Sequence, residues 1–445
     1  MRIANPFSHP VRLIPALFLL AIAAGTILLS LPIARAGAGS APPLVALFTA
    51  TSAVAVTGLI TVDTATYWTP FGQGVILLLF QVGGFGIMTA AVVLGLVAGR
   101  DFRLRDRLLT QVERSRLVAG NARAVLWLAF KVTLLIEGVL ALILILRLRI
   151  AHEEGWGQAA WDGLFHAVSA FNNAGFSTYS DSVMGFQHDA WILVPIMLAV
   201  VISSLGFPVI QEFRNRPLSF ARWSLHGKIT LIGTAVLLVG GFVAILAAEW
   251  NNPDTLGPMD WSAKTLNAAF HSVMPRTAGF NSLDVGAFRI ETLTFNYLLM
   301  FIGGGSAGTA GGIKITTAFL MFMVVWSEVR GERDAVVFGR RVGTRIERQA
   351  LSVGVLAAAL ISVATIILLS VTELPLSSVL FEVISAFSTV GLSTGITADL
   401  PPAAQLTLIV LMYVGRVGTI TVATALALRQ RPKPLRYPEE NPIVG

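Results

Sequence analysis

The stretch Phe48-Thr-Ala-Thr-Ser-Ala-Val-Ala-Val-Thr57-Gly58-Leu59 recurs in altered form three more times along the chain. The other copies are Phe165-His-Ala-Val-Ser-Ala-Phe-Asn-Asn-Ala174-Gly175-Phe176, Phe270-His-Ser-Val-Met-Pro-Arg-Thr-Ala278-Gly279-Phe280 and Phe381-Glu-Val-Ile-Ser-Ala-Phe-Ser-Thr-Val390-Gly391-Leu392. Phenylalanine to glycine is ten residues in three copies and nine in the third, and the glycines are 117, 104 and 112 residues apart. That near-regular period is too long for a solenoid and fits a module of two membrane spans. Each stretch holds only about ten semi-apolar residues, too few to cross a bilayer, so it predicts a re-entrant helix followed by a tight turn. A buried amphipathic linker helix would explain one copy, but four copies in register favour the re-entrant reading. Irregular backbone survives at membrane depth only where it lines a cavity or is buried in protein.

What flanks these stretches is apolar. Hydrophobic residues make up 55% of the 445 and charged residues 13%, about half the charged share of a soluble protein. Runs such as 11–31, 71–98, 229–248 and 353–371 are long enough to cross ~30 Å of hydrocarbon as helix. The net charge of +7 points to membrane topology rather than to nucleic acid, because its distribution is segregated. Seven Lys and Arg fall in 99–123, four in 214–228, six in 330–348, two before the first run (Arg2, Arg12) and four after the last. By the positive-inside rule these regions and both termini face the cytoplasm. The alternate loops carry Asp63, Asp181, Asp189, Glu249, Asp254, Asp260, Asp284, Glu373 and Asp399 and face outward. Cysteine is absent, so there is no disulfide framework and no thiolate metal site. The first apolar run reads as a retained helix, not a cleaved signal.

The expected fold is therefore an all-α integral membrane protein of four tandem span/pore-helix/span repeats. Its eight spans would stand in pseudo-fourfold symmetry around one central path. The expected boundaries are 1–99, 100–214, 215–335 (with a broken second helix and a loop at 303–314), 336–429 and a cytoplasmic tail 430–445.

A ring of backbone carbonyls can replace the hydration shell of an alkali cation without burying a full charge. Glycine enters the backbone angles that turn successive carbonyls inward at least cost, which accounts for Gly58, Gly175, Gly279 and Gly391. The candidate ion-binding segments are Val56-Thr57-Gly58, Asn173-Ala174-Gly175, Thr277-Ala278-Gly279 and Thr389-Val390-Gly391, with K+ or Na+ held at their carbonyls as the expected metal contact. The negative end of each preceding helix dipole favours a cation there.

These stretches, with Val62-Asp63-Thr64, Pro275-Arg276-Thr277-Ala278-Gly279-Phe280-Asn281 and Gly311-Gly312-Ile313-Lys314, resemble the Trk/Ktr/HKT superfamily of potassium transporters. The likeness covers nearly the whole chain and is greatest to the Ktr-type membrane subunit, since the chain begins directly with the first repeat. The resemblance implies potassium as the transported ion, because plant relatives that prefer sodium carry serine where this chain has Gly58. It further implies a homodimer in the cell membrane, a contribution of the tail residues Tyr437 to Gly445 to the dimer contact, sodium as a candidate activator, and a cytosolic ring of RCK type. ATP and ADP would bind that partner ring as opposed signals. A sodium-selective or sodium-coupled relative of the same fold remains the alternative.

The last apolar segment of the third repeat, 292–326, is too long for one crossing, and 303–312 places six glycines in ten residues. At ~1 kcal/mol each relative to alanine, these predict an irregular loop between two half-helices. The resemblance makes this loop a gate: Gly304, Gly305, Ser306, Gly308, Thr309, Gly311, Gly312 and Lys314, with Ala307 where relatives often have proline. Arg416 lies inside the final span, where a lone charge costs roughly 2.5–3.5 kcal/mol or more and must face the interior. It would either shape ion passage and contact the loop, as the family suggests, or pair structurally with loop carbonyls or a carboxylate.

Gly304-x-Ser306-x-Gly308 also fits a nucleophile elbow, giving an intramembrane hydrolase as the rival class, but the strand-turn-helix context is missing. Gly303-x-Gly305-x-x-Gly308 fits a dinucleotide fingerprint without its βαβ unit. No covalent chemistry is expected. Glu137 and Lys131 are read as a structural or interface pair, and Glu382 as an acid near a helix N-terminus. Asp63 is either a helix cap or a charge at the pathway mouth. His166 and His271 lack a third ligand for a metal site.

Overall fold

The protein is described by a computed structural model covering residues 10–106, 122–215, 217, 219–332 and 334–418. The tail 430–445, Arg2 and residues 107–121 of the first basic stretch lie outside the described residues.

Helix starts follow local chemistry. Helix α1 (Pro10–Leu29) is followed by α2 (Pro43–Val54), which opens on the Pro42-Pro43 pair, where a missing N–H costs nothing. Asp63 caps the short α3 (Thr64–Tyr67), accepting from Ala65 N at 3.0 Å, and α4 (Pro70–Asp106) follows. Next come α5 (Ala122–Ala151), α6 (Trp156–Asn172), α7 (Ala190–Leu205) and α8 (Phe207–Asn215). Helix α7 starts at Asp189, which accepts from Trp191 N at 2.9 Å, and bends by 94° into α8 at Gly206. The remaining helices are α9 (Leu225–Glu249), α10 (Trp261–Val273), α11 (Ile290–Phe301), α12 (Ile315–Val329), α13 (Thr344–Val371), α14 (Leu376–Ser388) and α15 (Pro402–Tyr413). Helix α15 runs on as a π-helical turn at Val414–Gly418. A two-residue antiparallel ribbon, β1 (Val336–Val337) with β2 (Arg340–Arg341), sits between α12 and α13.

Among the described residues, four helices are long and apolar enough to cross a membrane, within α4, α5, α9 and α13; the bent pair α7 and α8 makes a fifth. Only 28% of the apolar windows of α9 and α13 is buried by protein, and Val236, Val239, Val243, Val355, Val363 and Ile366 stand exposed. An exposed apolar belt of this kind suits lipid. The short helices α2, α6, α10 and α14 are the reverse, and Phe48, Phe165, Phe270 and Phe381 are each fully buried. In hydrocarbon such burial gains no transfer energy, so close packing is what fixes these four rings.

The short helices are sheathed in turn. α2 packs on α1 and α4; α6 on α4, α5 and α7; α10 on α7 and α9; α14 on α11, α13 and α15. Helix α15, the last α-helix among the described residues, also packs on α2, so the two ends of the described chain meet.

Candidate functional site

Each short helix ends in the same backbone figure. Two residues before each glycine the backbone is left-handed: Val56 (φ 56°), Asn173 (59°), Thr277 (76°) and Thr389 (51°). The glycines are also positive, at 89°, 69°, 73° and 94°, while the residue between is not. Non-glycine residues with positive φ are a few per cent of the total, so four at matched positions form a pattern. Alternating handedness turns successive peptide planes the same way, so carbonyls can line one side. The amide of the middle residue donates back one turn in every copy: Thr57 N to Ser52 O (2.7 Å), Ala174 N to Ser169 O (2.8 Å), Ala278 N to Met274 O (3.0 Å) and Val390 N to Ser385 O (2.8 Å).

The four segments meet one another in cyclic order. A Cβ on Gly58 would lie 2.4 Å from Ala174 O; on Gly175, 2.8 Å from Ala278 O; on Gly279, 2.5 Å from Val390 O; and on Gly391, 2.1 Å from Thr57 O. Each glycine thus presses on the carbonyl of the middle residue of the next segment, and the fourth closes on the first. Beside the ring is a cavity of about 300 Å3, lined by the four glycines with Asp63, Asp181 and Asp284. Asp63 is both helix cap and wall of this cavity, and its Oδ2 accepts from Ser180 Oγ at 2.6 Å.

Ser52, Ser169 and Ser385 support the ring, although sequence reading assigned them nothing. Ser52 Oγ accepts from Gly58 N (3.1 Å) and Ser385 Oγ from Gly391 N (3.2 Å); Ser385 also donates to Leu392 O, and Ser169 to Phe176 O (2.8 Å). The signal was available, since all three stand four residues after the phenylalanine. The third copy has Met274 there and is one residue shorter; its carbonyl takes Gly279 N at 3.4 Å in place of a hydroxyl.

Residues 302–314 run without helix between α11 and α12. Gly303 N donates to Ile313 O (2.9 Å) and Ile315 N to Gly304 O (3.0 Å), closing the loop on itself. Gly305 N donates to Ser204 O (2.7 Å), Thr309 N to Ser203 O (3.3 Å) and Gly311 N to Thr277 Oγ1 (3.2 Å). A Cβ on Gly311 would lie 2.0 Å from Thr389 Oγ1, so the loop lies directly against two of the four segments. Arg416, on the π-helical turn, is buried and donates through Nη1 to Thr309 O, while Lys314 Nζ donates to Ala310 O. Among the described residues Arg416 makes no carboxylate pair; its contact is a loop carbonyl.

Two sequence expectations are corrected. Lys131 lies over the Trp127 ring (5.6 Å) and not with Glu137, whose carboxylate accepts from Gln81 Nε2 (3.3 Å) and Asn172 Nδ2 (3.1 Å); six residues along a helix do not share a face. Glu382 is mid-helix, because Pro375 starts α14 earlier, and it accepts from Thr397 Oγ1. The segment after α6 is broken at Gly206, a feature not read from the sequence. His166 contacts Ser177 Oγ (2.9 Å) and His271 contacts Asn296 (3.1 Å); among the described residues no group of three His, Cys, Asp or Glu could hold a metal. Ser306 Oγ sits 3.3 Å from Thr316 Oγ1, and among the described residues no histidine or carboxylate is hydrogen-bonded to it.

A closed ring of four carbonyl-bearing turns thus sits inside a helical bundle whose outer faces are apolar, the build of a membrane protein. The TrkH family, described as cation transport proteins, matches residues 22–433, and the chain belongs to that family, one of transporters and not of enzymes. The chain is 38% identical to Ktr system potassium uptake protein B of Bacillus subtilis, over 96% of this chain and 95% of that protein. It is 36% identical to potassium/sodium uptake protein NtpJ of Enterococcus hirae, over 98% and 97%. The crystal structure of the potassium transporter TrkH from Vibrio parahaemolyticus has the same fold, with a TM-score of 0.74 and 17% identity, over 95% of this chain and 86% of that one.

Proposed function

We propose that this chain takes up potassium across the cell membrane through a backbone-carbonyl selectivity filter made by 56–58, 173–175, 277–279 and 389–391. The observation that carries the reading is the cyclic contact of the four glycines with their neighbours' carbonyls. On this reading the chain is four span/pore-helix/span repeats, eight spans in pseudo-fourfold order about one pore, with the earlier boundaries. Potassium moves inward down its electrochemical gradient, to which the membrane potential contributes ~2.3 kcal/mol per charge per 100 mV. The glycine loop 303–314, directly beneath Thr277 and Thr389, is the gate, and Arg416 holds it through Thr309 O. The relatives' description as Ktr systems supports a further component; on this reading it is a cytosolic RCK-type ring binding ATP or ADP, on a homodimer of this chain. A second reading, with sodium carried or required as well, is favoured by the likeness to the potassium/sodium uptake protein.

The test is growth of potassium-uptake-deficient cells at low potassium. The wild-type chain restores growth and Gly58→Ser does not, while Arg416→Ala restores it with altered potassium dependence. Failure of the wild-type chain in the membrane fraction to restore growth would reject the proposal, and growth that follows external sodium would favour the second reading.

A further inference from the structure

Two breaks face each other beneath the ring: the glycine loop and the bend between α7 and α8 at Gly206. A helix that stops leaves its last carbonyls without intrahelical donors. The loop supplies them, through Gly305 N to Ser204 O and Thr309 N to Ser203 O, and Phe207 N returns a bond to Ala307 O (3.3 Å). The side chains of the same two serines hold the filter residue Asn173. Ser203 Oγ donates to Asn173 Oδ1 (2.8 Å), and Asn173 Nδ2 donates to Ser204 Oγ (2.7 Å). All three residues are at most 2% exposed, so no water competes for these bonds. Asn173 is the left-handed residue of the second segment, and the carbonyl of the next residue, Ala174, is the one against Gly58. Ser203 also has a second acceptor ready, Val200 O one turn back at 3.1 Å.

We infer that Ser203 and Ser204 are positioning residues that couple the gate loop to the filter, so that discrimination between potassium and sodium depends on whether the loop is docked. With the loop in place, its amides pin the end of α7 and the serine hydroxyls fix the Asn173 amide from both ends. When the loop withdraws, the α7 terminus loses two donors, Ser203 turns to Val200 O, and the second filter segment loses its fixed orientation. A buried polar network that is only partly satisfied no longer specifies one geometry. The inference rests on the gate reading of the loop.

The experiment uses the full chain in potassium-loaded liposomes, reading rubidium uptake and its inhibition by external potassium and sodium. Four proteins are compared: wild type, S203A/S204A, a chain lacking residues 305–309, and the combination. Shortening the loop raises the uptake rate and lowers potassium-over-sodium discrimination. The serine substitutions lower discrimination about 3- to 10-fold in the full chain, the range of one or two buried hydrogen bonds, and add nothing in the shortened chain. Ser204→Thr, which keeps the hydroxyl, retains wild-type discrimination. Should S203A/S204A not fold, Ser204→Ala alone shows the same background dependence at about 2-fold. A serine effect of equal size in both backgrounds, or none in the full chain, would overturn the coupling while leaving the gate intact. Loop shortening that leaves the rate unchanged would overturn the gate reading and the coupling with it.

Discussion

Gly391 and Gly395 separate the strain of a backbone angle from the contact that makes the ring. Their φ values are nearly equal, 94° and 93°, so alanine at either position carries a similar backbone penalty of about 1–3 kcal/mol. Only one of them meets a neighbour. A Cβ on Gly391 would lie 2.1 Å from Thr57 O, whereas one on Gly395 has nothing within 4 Å. Ordinary contact begins at 3.4 Å, so G391A must push the fourth segment from the first by more than 1 Å. Carbonyls displaced by that much no longer replace a hydration shell in fixed geometry, since sites of this kind tolerate about 0.5 Å. Rubidium uptake in proteoliposomes, alongside thermal unfolding of the purified proteins, is the assay. Both variants carry the backbone penalty, and G391A a further overpacking cost of about 1–3 kcal/mol; G391A falls to background uptake while G395A keeps at least half of the wild-type rate and its ion preference. G391A transport indistinguishable from that of G395A would refute the ring as the ion-contacting element.

Arg416→Ala removes a charged hydrogen bond to the loop, worth about 1.5–3 kcal/mol, and should raise the maximal uptake rate tenfold or more; an unchanged rate would show that the arginine does not hold the loop. Gly206→Ala places a Cβ 2.4 Å from Ser306 O at φ 85° and should also raise uptake, while Gly240→Ala, with open space around it, leaves uptake unaltered. At the start of α7, burial raises the affinity of Asp189 for a proton, but the hydrogen bonds from Arg147 (2.7 Å) and His152 (2.9 Å) and from Trp191 N outweigh it, leaving the carboxyl below its usual range. A depressed carboxylate stabilises the fold above its unfolded pKa and loses that contribution as pH falls through the folded value. The gap in thermal midpoint between wild type and Asp189→Asn should therefore be widest near neutral pH and close in acid; a gap independent of pH would contradict this.

The repeat was legible because four phenylalanines and four glycines keep register over the chain, and each phenylalanine is fully buried by its neighbours. The supporting serines sat in the same quoted stretches but needed three-dimensional contact to show their acceptors. The break at Gly206 was missed because one glycine in an apolar run costs only ~1 kcal/mol. Pro208 two residues later was the signal, since it disfavours helix at the preceding residue and suits a helix start. The ribbon at 336–341 was hidden for another reason. Its turn places Phe338 (φ 49°) and Gly339 (φ 71°) in left-handed backbone, and Phe-Gly is not a pair that announces such a turn. The loop's contacts with Ser203, Ser204 and Arg416 join residues about a hundred apart, which no local pattern encodes.

The most direct test of potassium passage is rubidium accumulation by potassium-loaded liposomes carrying the purified chain, with external potassium or sodium as competitor. The account predicts accumulation well above protein-free liposomes, abolished by external potassium and little changed by equal sodium. Accumulation no greater than in protein-free liposomes, or equal inhibition by the two ions, would contradict it.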